Sequence, residues 1–117
     1  MVSRIKLWVV GAGVAAVILA SALPASAAVL VVGKCDNLWH PSKVSIAKGT
    51  TVKWKAGCNS HTVTAYSKNW SKNVTLSQGE TTRKTFKSKG TFKFRCKFHS
   101  TLTNGVCAGM CGKVVVG

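Results

Sequence analysis

Acidic side chains are almost absent from this sequence. Asp36 and Glu80 are the only two, whereas 17 of the 117 residues are Lys or Arg, so the formal net charge is +15. Such an imbalance in a short chain predicts attraction to an anionic partner, such as an acidic protein or the surface of a cell envelope. Nucleic acid is not the expected partner, because helix-turn-helix and zinc-finger spacings are missing and the lysines alternate with apolar residues.

A sustained helical period is also missing after residue 27, and the chain contains no internal repeat. Short β-branched or alternating runs take its place, separated by turn residues. We therefore predict an all-β protein, a Greek-key β-sandwich of six to eight short strands. The length allows one domain, since about ninety residues remain after the amino-terminal segment. The clearest predicted strands are 29–32, 43–46, 51–55, 61–66, 91–96 and 113–116.

The first 27 residues have the pattern of a secretory signal peptide. Two cations near the start precede an apolar run at about 7–22, and small residues follow at 25–27. We predict cleavage after Ala27 and export, which leaves one domain of residues 28–117. That domain loses two of the seventeen cations and keeps both acids, so its formal charge is +13. A retained membrane anchor is the alternative, but the apolar run is short for a bilayer-spanning helix.

Four side chains with metal-binding atoms stand out in the sequence. Cys96 ends a predicted strand, His99 follows three positions later, and Met110 comes eleven positions after that. His61 begins a different predicted strand. A chain that turns after Cys96 can bring His99 back toward the sulfur. Two imidazoles, one thiolate and a weak thioether favour copper, whereas structural zinc sites rarely use methionine.

Each of these residues also has an ordinary structural explanation. Cys96 could be a buried thiol or half of a disulfide, and Met110 could fill the core. His61 and His99 could be surface residues. Their joint occurrence, in this order and on these predicted strands, favours the metal site. The third histidine, His40, lies in a predicted loop, and we expect it on the surface.

Over most of residues 41–116, the sequence resembles the cupredoxins, the small blue copper proteins of the plastocyanin, pseudoazurin and amicyanin kind. The resemblance implies a copper cofactor, with His61, Cys96 and His99 as equatorial ligands and Met110 as the axial ligand. The chain departs from those relatives after His99, where ten residues replace a short ligand loop. The matching segments cover nearly all of the domain and follow the family's order: 41–46, 48–54, 61–65, 90–99 and 110–116.

Five cysteines are an odd number for an exported domain, so four can pair and one is left for chemistry. With Cys96 assigned to copper, three pairings of the other four are possible. We favour Cys35 with Cys58 and Cys107 with Cys111, because the second bond would close the enlarged ligand loop.

The expected function is one-electron transfer by copper cycling between Cu(II) and Cu(I), without an enzymatic reaction. An oxidase would need more copper sites than three histidines can supply. Phe92, Phe94 and Phe98 would surround the sulfur and help to set the potential, and Thr62 would support the site. The family resemblance implies that electrons pass through the edge of His99.

The expected partner is an acidic redox protein, which the lysines would steer toward a port ringed by Phe98, Leu102 and Val106. We expect a monomer that can also contact an anionic cell-envelope surface. Two other functions are compatible with the sequence. One is an envelope protein that binds or stores copper without a redox partner, and the other is a metal-free, disulfide-braced β-sandwich that binds an anionic polymer.

Overall fold

The computed structural model describes residues 27–117, which form two packed β-sheets. Residues 1–26, which hold almost all of the predicted signal peptide and its helix, lie outside the described residues. Among residues 27–117, no helix has the length and apolar character needed to cross a membrane. The strands are β1 (Val29–Gly33), β2 (Trp39–His40), β3 (Lys43–Ile46), β4 (Thr50–Ala56), β5 (His61–Ala65), β6 (Asn73–Leu76), β7 (Thr81–Phe86), β8 (Gly90–Thr103) and β9 (Val106–Val116).

The two sheets confirm the predicted β-sandwich. One has the strand order β2-β1-β4-β7 and the other β3-β9-β8-β5-β6. Most neighbours are antiparallel, but β1 pairs with β4 and β3 pairs with β9 in parallel. The chain crosses between the sheets at five of its eight connections, as expected for Greek-key topology, whereas β1-β2, β5-β6 and β8-β9 stay within one sheet.

The described residues contain nine strands, against the predicted six to eight, because residues 39–46 form two strands. β2 pairs with β1 in the four-stranded sheet, whereas β3 pairs with β9 in the other. Pro41 lies between them, where its missing N–H removes a donor that either ladder would need.

The alternating pattern of β8 explains how a thiol reaches the interior. Phe92, Phe94 and Cys96 are buried, and the residues between them are charged. The ring of Phe94 packs edge-on against Trp54 and Trp39, with centroid distances of 5.3 Å and 5.7 Å. Cys96 is the last buried residue of this alternation and lies at one end of the aromatic core.

Residues 100–109 form a β-hairpin, where the sequence analysis expected a long loop. β8 continues to Thr103 and β9 already begins at Val106, so the two strands extend beyond the sandwich in antiparallel register. Asn104 and Gly105 make the connection with φ angles of 50° and 79°. Positive φ at both residues matches a type I′ turn, for which Asn-Gly is the preferred sequence. We call residues 100–109 the hairpin arm.

Candidate metal centre

Three of the predicted site residues meet at one end of the sandwich. One ligand atom each from His61, Cys96 and His99 lies within 4.8 Å of the others. The Cys96 sulfur is 3.8 Å from Nδ1 of His61 and 3.5 Å from Nδ1 of His99. His61 is the first residue of β5, whereas the other two belong to β8. The structure thus brings together donors that are 35 residues apart in sequence.

An irregular stretch of β8 gives His99 its position. The ladder with β9 is regular as far as Arg95 and resumes in a shifted register at Ser100. The hydroxyl of Ser100 donates a hydrogen bond to the Cys96 carbonyl at 2.5 Å, and Nη1 of Arg95 donates to Ser100 Oγ at 3.0 Å. These bonds hold the bulge that turns His99 back toward Cys96.

A backbone carbonyl fixes the orientation of His61. Its Nε2 lies 2.6 Å from the carbonyl oxygen of Cys58. Because a carbonyl only accepts, Nε2 carries the proton and Nδ1 keeps its lone pair, which points toward the Cys96 sulfur. Burial lowers the pKa of His61, the hydrogen bond to Cys58 opposes that shift, and the charge of His99 lowers the pKa further. His61 is therefore held as the neutral imidazole that binds metals.

Cys96 is fully buried and is the free cysteine of the described chain. The backbone N–H of Thr62 donates to its sulfur at 3.3 Å, and such a bond stabilises a thiolate. The side chain of Thr62 acts elsewhere, because its hydroxyl accepts a hydrogen bond from the Lys97 N–H at 2.7 Å. Thr62 therefore contacts the site through its backbone and ties β5 to β8 through its hydroxyl.

Met110 reaches the same place despite its distance in sequence from His99. It is fully buried in β9. A Cβ atom added to Gly33 would lie 3.0 Å from Cε of Met110 and 2.6 Å from Cδ2 of His61. Both side chains therefore pack against Gly33, and the hairpin arm inserts ten residues without carrying Met110 away from His61.

Both favoured disulfide pairings are present. Cys35 is bonded to Cys58, with Cα atoms 5.0 Å apart, and Cys107 is bonded to Cys111, with Cα atoms 6.1 Å apart. The first bond ties down the loop that presents the Cys58 carbonyl to His61. The second joins two cysteines that lie on either side of Met110 in the sequence.

The remaining predicted residues are exposed to different degrees. His40 lies apart from the site, and its Nε2 is 2.7 Å from the Asp36 carboxylate. Phe98 is 56% exposed, whereas Phe92 and Phe94 are buried. His99 is partly exposed, whereas His61, Cys96 and Met110 are fully buried.

Gly33, the Cys58 carbonyl and the Arg95–Ser100 hydrogen bond are the parts of the site that the sequence analysis did not find. A glycine that ends a strand and a backbone oxygen carry no chemical signature of their own. The Asn104-Gly105 dipeptide did carry a recognisable signal for the hairpin arm.

Two imidazole nitrogens and a buried thiolate suit copper, because these donors hold both Cu(I) and Cu(II). A β-sandwich with such a site at one end defines the class of cupredoxins. The sequence profile of the copper-binding proteins of the plastocyanin/azurin family matches residues 27–117. The chain belongs to this family, and copper is its cofactor.

Solved structures with the same fold are distant in sequence. A purple cupredoxin from Nitrosopumilus maritimus has 19% identity and a TM-score of 0.58, over 76% of this chain and 99% of its own. A reduced, Cu(I) form of an amicyanin mutant has 23% identity and a TM-score of 0.65, over 85% and 90%. A copper-containing nitrite reductase from Thermus scotoductus has 20% identity and a TM-score of 0.66, over 86% of this chain and 25% of its own.

Proposed function

We propose that the protein carries single electrons between redox partners. His61, Cys96 and His99 serve as the equatorial copper ligands and Met110 as the axial ligand. The observation that carries this proposal is the burial pattern, because His99 alone among the four reaches the surface. Such a site gives a substrate no open approach to the metal, so a carrier fits it better than an enzyme does.

The bound copper supplies the one-electron couple between Cu(II) and Cu(I). The protein holds the ligands in one geometry. His61 is fixed by the Cys58 carbonyl, and Cys96 by the Thr62 N–H. Ligands held by a rigid hydrogen-bonded frame have little room to rearrange when the charge of the metal changes. Burial keeps water from the thiolate.

Electrons enter and leave at the exposed edge of His99. The ring of Phe98 lies edge-on to this imidazole at a centroid distance of 6.4 Å. Leu102 and Val106 on the hairpin arm are 39% and 69% exposed. Leu102 pairs with Cys107 and Val106 with Thr103, so these two side chains lie on opposite faces of the hairpin arm. Phe98 is therefore the apolar side chain beside His99 that a redox partner can cover. The high positive charge favours an acidic partner at long range.

Export by a cleaved signal peptide of residues 1–27 is part of the same proposal. The two disulfides of the described domain support an oxidising location outside the cytoplasm.

Voltammetry of the copper-loaded protein tests the carrier function. We expect a reversible one-electron response and rapid exchange with small redox reagents. The variant Cys96→Ser is the control, since its hydroxyl is a poor copper ligand, and it should lose the response. A protein that yields its copper to mild chelators and shows no reversible response is a copper-binding or storage protein, and this result would contradict the proposal.

A further inference from the structure

Both acidic side chains of the described domain lie at one end of the sandwich, whereas the cations are spread over the whole molecule. We call the end that holds His61 and Cys96 the copper end, and the opposite end, with the turns at 47–49 and 87–89, the distal end. Asp36 follows β1 and Glu80 precedes β7, so both acids lie at the copper end. Each is engaged locally, Asp36 by His40 and by a backbone N–H, and Glu80 by a backbone N–H. No carboxylate side chain of the described residues lies at the distal end.

The distal end contains a cleft with cations on its rim. One wall comes from β7 and the turn after it and carries Arg83, Lys84, Lys87 and Lys89. The other wall comes from residues 69–71, and aromatic rings of the core form the base. Arg83 pairs with Lys53 and so faces the opposite side of β7 from Phe86, which leaves Lys84, Lys87 and Lys89 as the cationic side chains of the groove. No acidic residue is among the lining residues.

Lys72 adds to this crowding of charge. Its ammonium donates a hydrogen bond to the carbonyl of Arg83 at 3.1 Å. Burial lowers the pKa of Lys72, and the charge of Lys84 lowers it further. The charge of Lys84 thus acts on Lys72, and an anion bound beside them would offset it.

Protection of a sheet edge explains only part of this arrangement. β7 is an edge strand, and charged side chains on an edge prevent pairing with other chains. That role accounts for Arg83 and Lys84. It does not account for Lys87 and Lys89, which lie in the turn beyond the strand, or for the concave shape.

We propose that the distal cleft binds a linear polyanion, a flexible polymer with phosphate or carboxylate groups in its repeat. One monovalent anion cannot balance several cations, and a flat bilayer cannot enter a groove. A polymer held there leaves the copper end, with the exposed edge of His99, free for a redox partner. The inference goes beyond electron transfer and does not depend on copper.

Binding of fluorescently labelled linear polyphosphate to the metal-free protein tests this site. The variant Lys84→Gln/Lys87→Gln/Lys89→Gln removes three charges from the cleft. The control Lys43→Gln/Lys53→Gln/Lys113→Gln removes three charges from the sheet faces. We expect the cleft variant to lose about tenfold or more in affinity, with a salt slope smaller by roughly 2. The control should lose much less, because its net charge is the same but its cleft is intact.

Equal losses in the two variants would overturn the proposal, because the net charge alone would then explain binding. Lys87→Gln/Lys89→Gln changes only the exposed turn and guards against misfolding of the triple variant. Polygalacturonate, in parallel, separates carboxylate from phosphate, and a cleft-specific loss with either polymer supports the site. Vesicles of equal phosphatidylglycerol and phosphatidylcholine are the further comparison. If vesicles bind as tightly as the polymer, and if the variants weaken both to the same extent, the surface faces a membrane. This result would overturn the proposal that the cleft binds a linear polymer.

Discussion

The residues that hold the proposed ligands do so through ordinary backbone groups. His61 is oriented by a carbonyl, Cys96 receives an N–H, and the bulge before His99 is closed by Ser100. Such contacts set the direction of each lone pair before any metal binds. The site therefore depends on its surroundings as much as on its donor atoms.

Replacing Met110 by Leu tests its role as axial ligand. Leu has nearly the same volume, so we expect a stability loss below about 1.5 kcal/mol. The variant should keep copper and its strong visible absorption. Its reduction potential should rise, because a thioether that donates to Cu(II) has been removed. Voltammetry measures the change, and an unaltered potential would mean that Met110 only fills the core.

Replacing Gly33 by Ala tests the packing of two proposed ligands. The added methyl would lie 2.6 Å from Cδ2 of His61 and 3.0 Å from Cε of Met110, so one or both must move. We expect a loss of about 1–3 kcal/mol in the free energy of unfolding and an altered copper spectrum. Gly117→Ala is the matched control, because no atom lies within 4 Å of its added methyl. A spectrum identical to that of the unmodified protein would contradict this account.

For single residues, the proposed metal ligands were predictable from the sequence, but the groups that position those ligands were not. Cys96, His61 and His99 have side chains whose chemistry shows in the sequence. The contact of Gly33 with His61 joins positions 28 apart and appears only after the two sheets have packed. No local pattern contains that information.

Among the elements, the pair β8 and β9 determines most of the site. Alternation in β8 directs Cys96 inward, and the sequence itself shows this alternation, because Lys93 and Arg95 separate the apolar residues. The hairpin arm was not predicted, because the polar and small residues around 100–109 lack the apolar alternation that marks a strand. Residues 100–103 and 106–109 are strands because they pair with each other, and the Asn104-Gly105 turn sets the register of that pairing.

The disulfide Cys107–Cys111 bends β9 beside Met110. Four residues of an extended strand would span about 13 Å, whereas these Cα atoms are 6.1 Å apart. Gly109, with a φ of 101°, lies within the bend. The bond thus ties the hairpin arm to the residue that follows Met110.

Removing this bond with Cys107→Ser/Cys111→Ser should therefore change the copper site more than the fold. We expect a stability loss of about 2 kcal/mol, since the closed loop is short, together with an altered potential. The comparison Cys35→Ser/Cys58→Ser opens a longer loop and should cost about 3 kcal/mol. Chemical denaturation and voltammetry measure the two effects. An unchanged potential in the first variant would show that the bond does not position Met110.

For the whole molecule, the class of fold and the excess of positive charge were clear from the sequence. The position of both acids at one end was not clear, because it depends on which turns share an end of the sandwich. Lys48, Lys87 and Lys89 lie in such turns at the distal end, far from both acids. The same charge can therefore attract a partner at long range and hold a polymer away from the copper end.

Copper binding should stabilise the folded chain, because the ligands converge only when both sheets have formed. A ligand present at 1,000 times its dissociation constant adds about 4 kcal/mol to the stability of the native state. Thermal unfolding with and without copper should show a higher midpoint for the copper-loaded protein. Cys96→Ser should lose most of this increase, and an equal increase in that variant would place the copper elsewhere.

The visible absorption spectrum of the copper-loaded protein tests the central claim most directly. Coordination of Cu(II) by the Cys96 thiolate predicts an intense thiolate-to-copper band that vanishes in Cys96→Ser. A weak spectrum without that band, or an intense band that persists in Cys96→Ser, would contradict the assignment of this site.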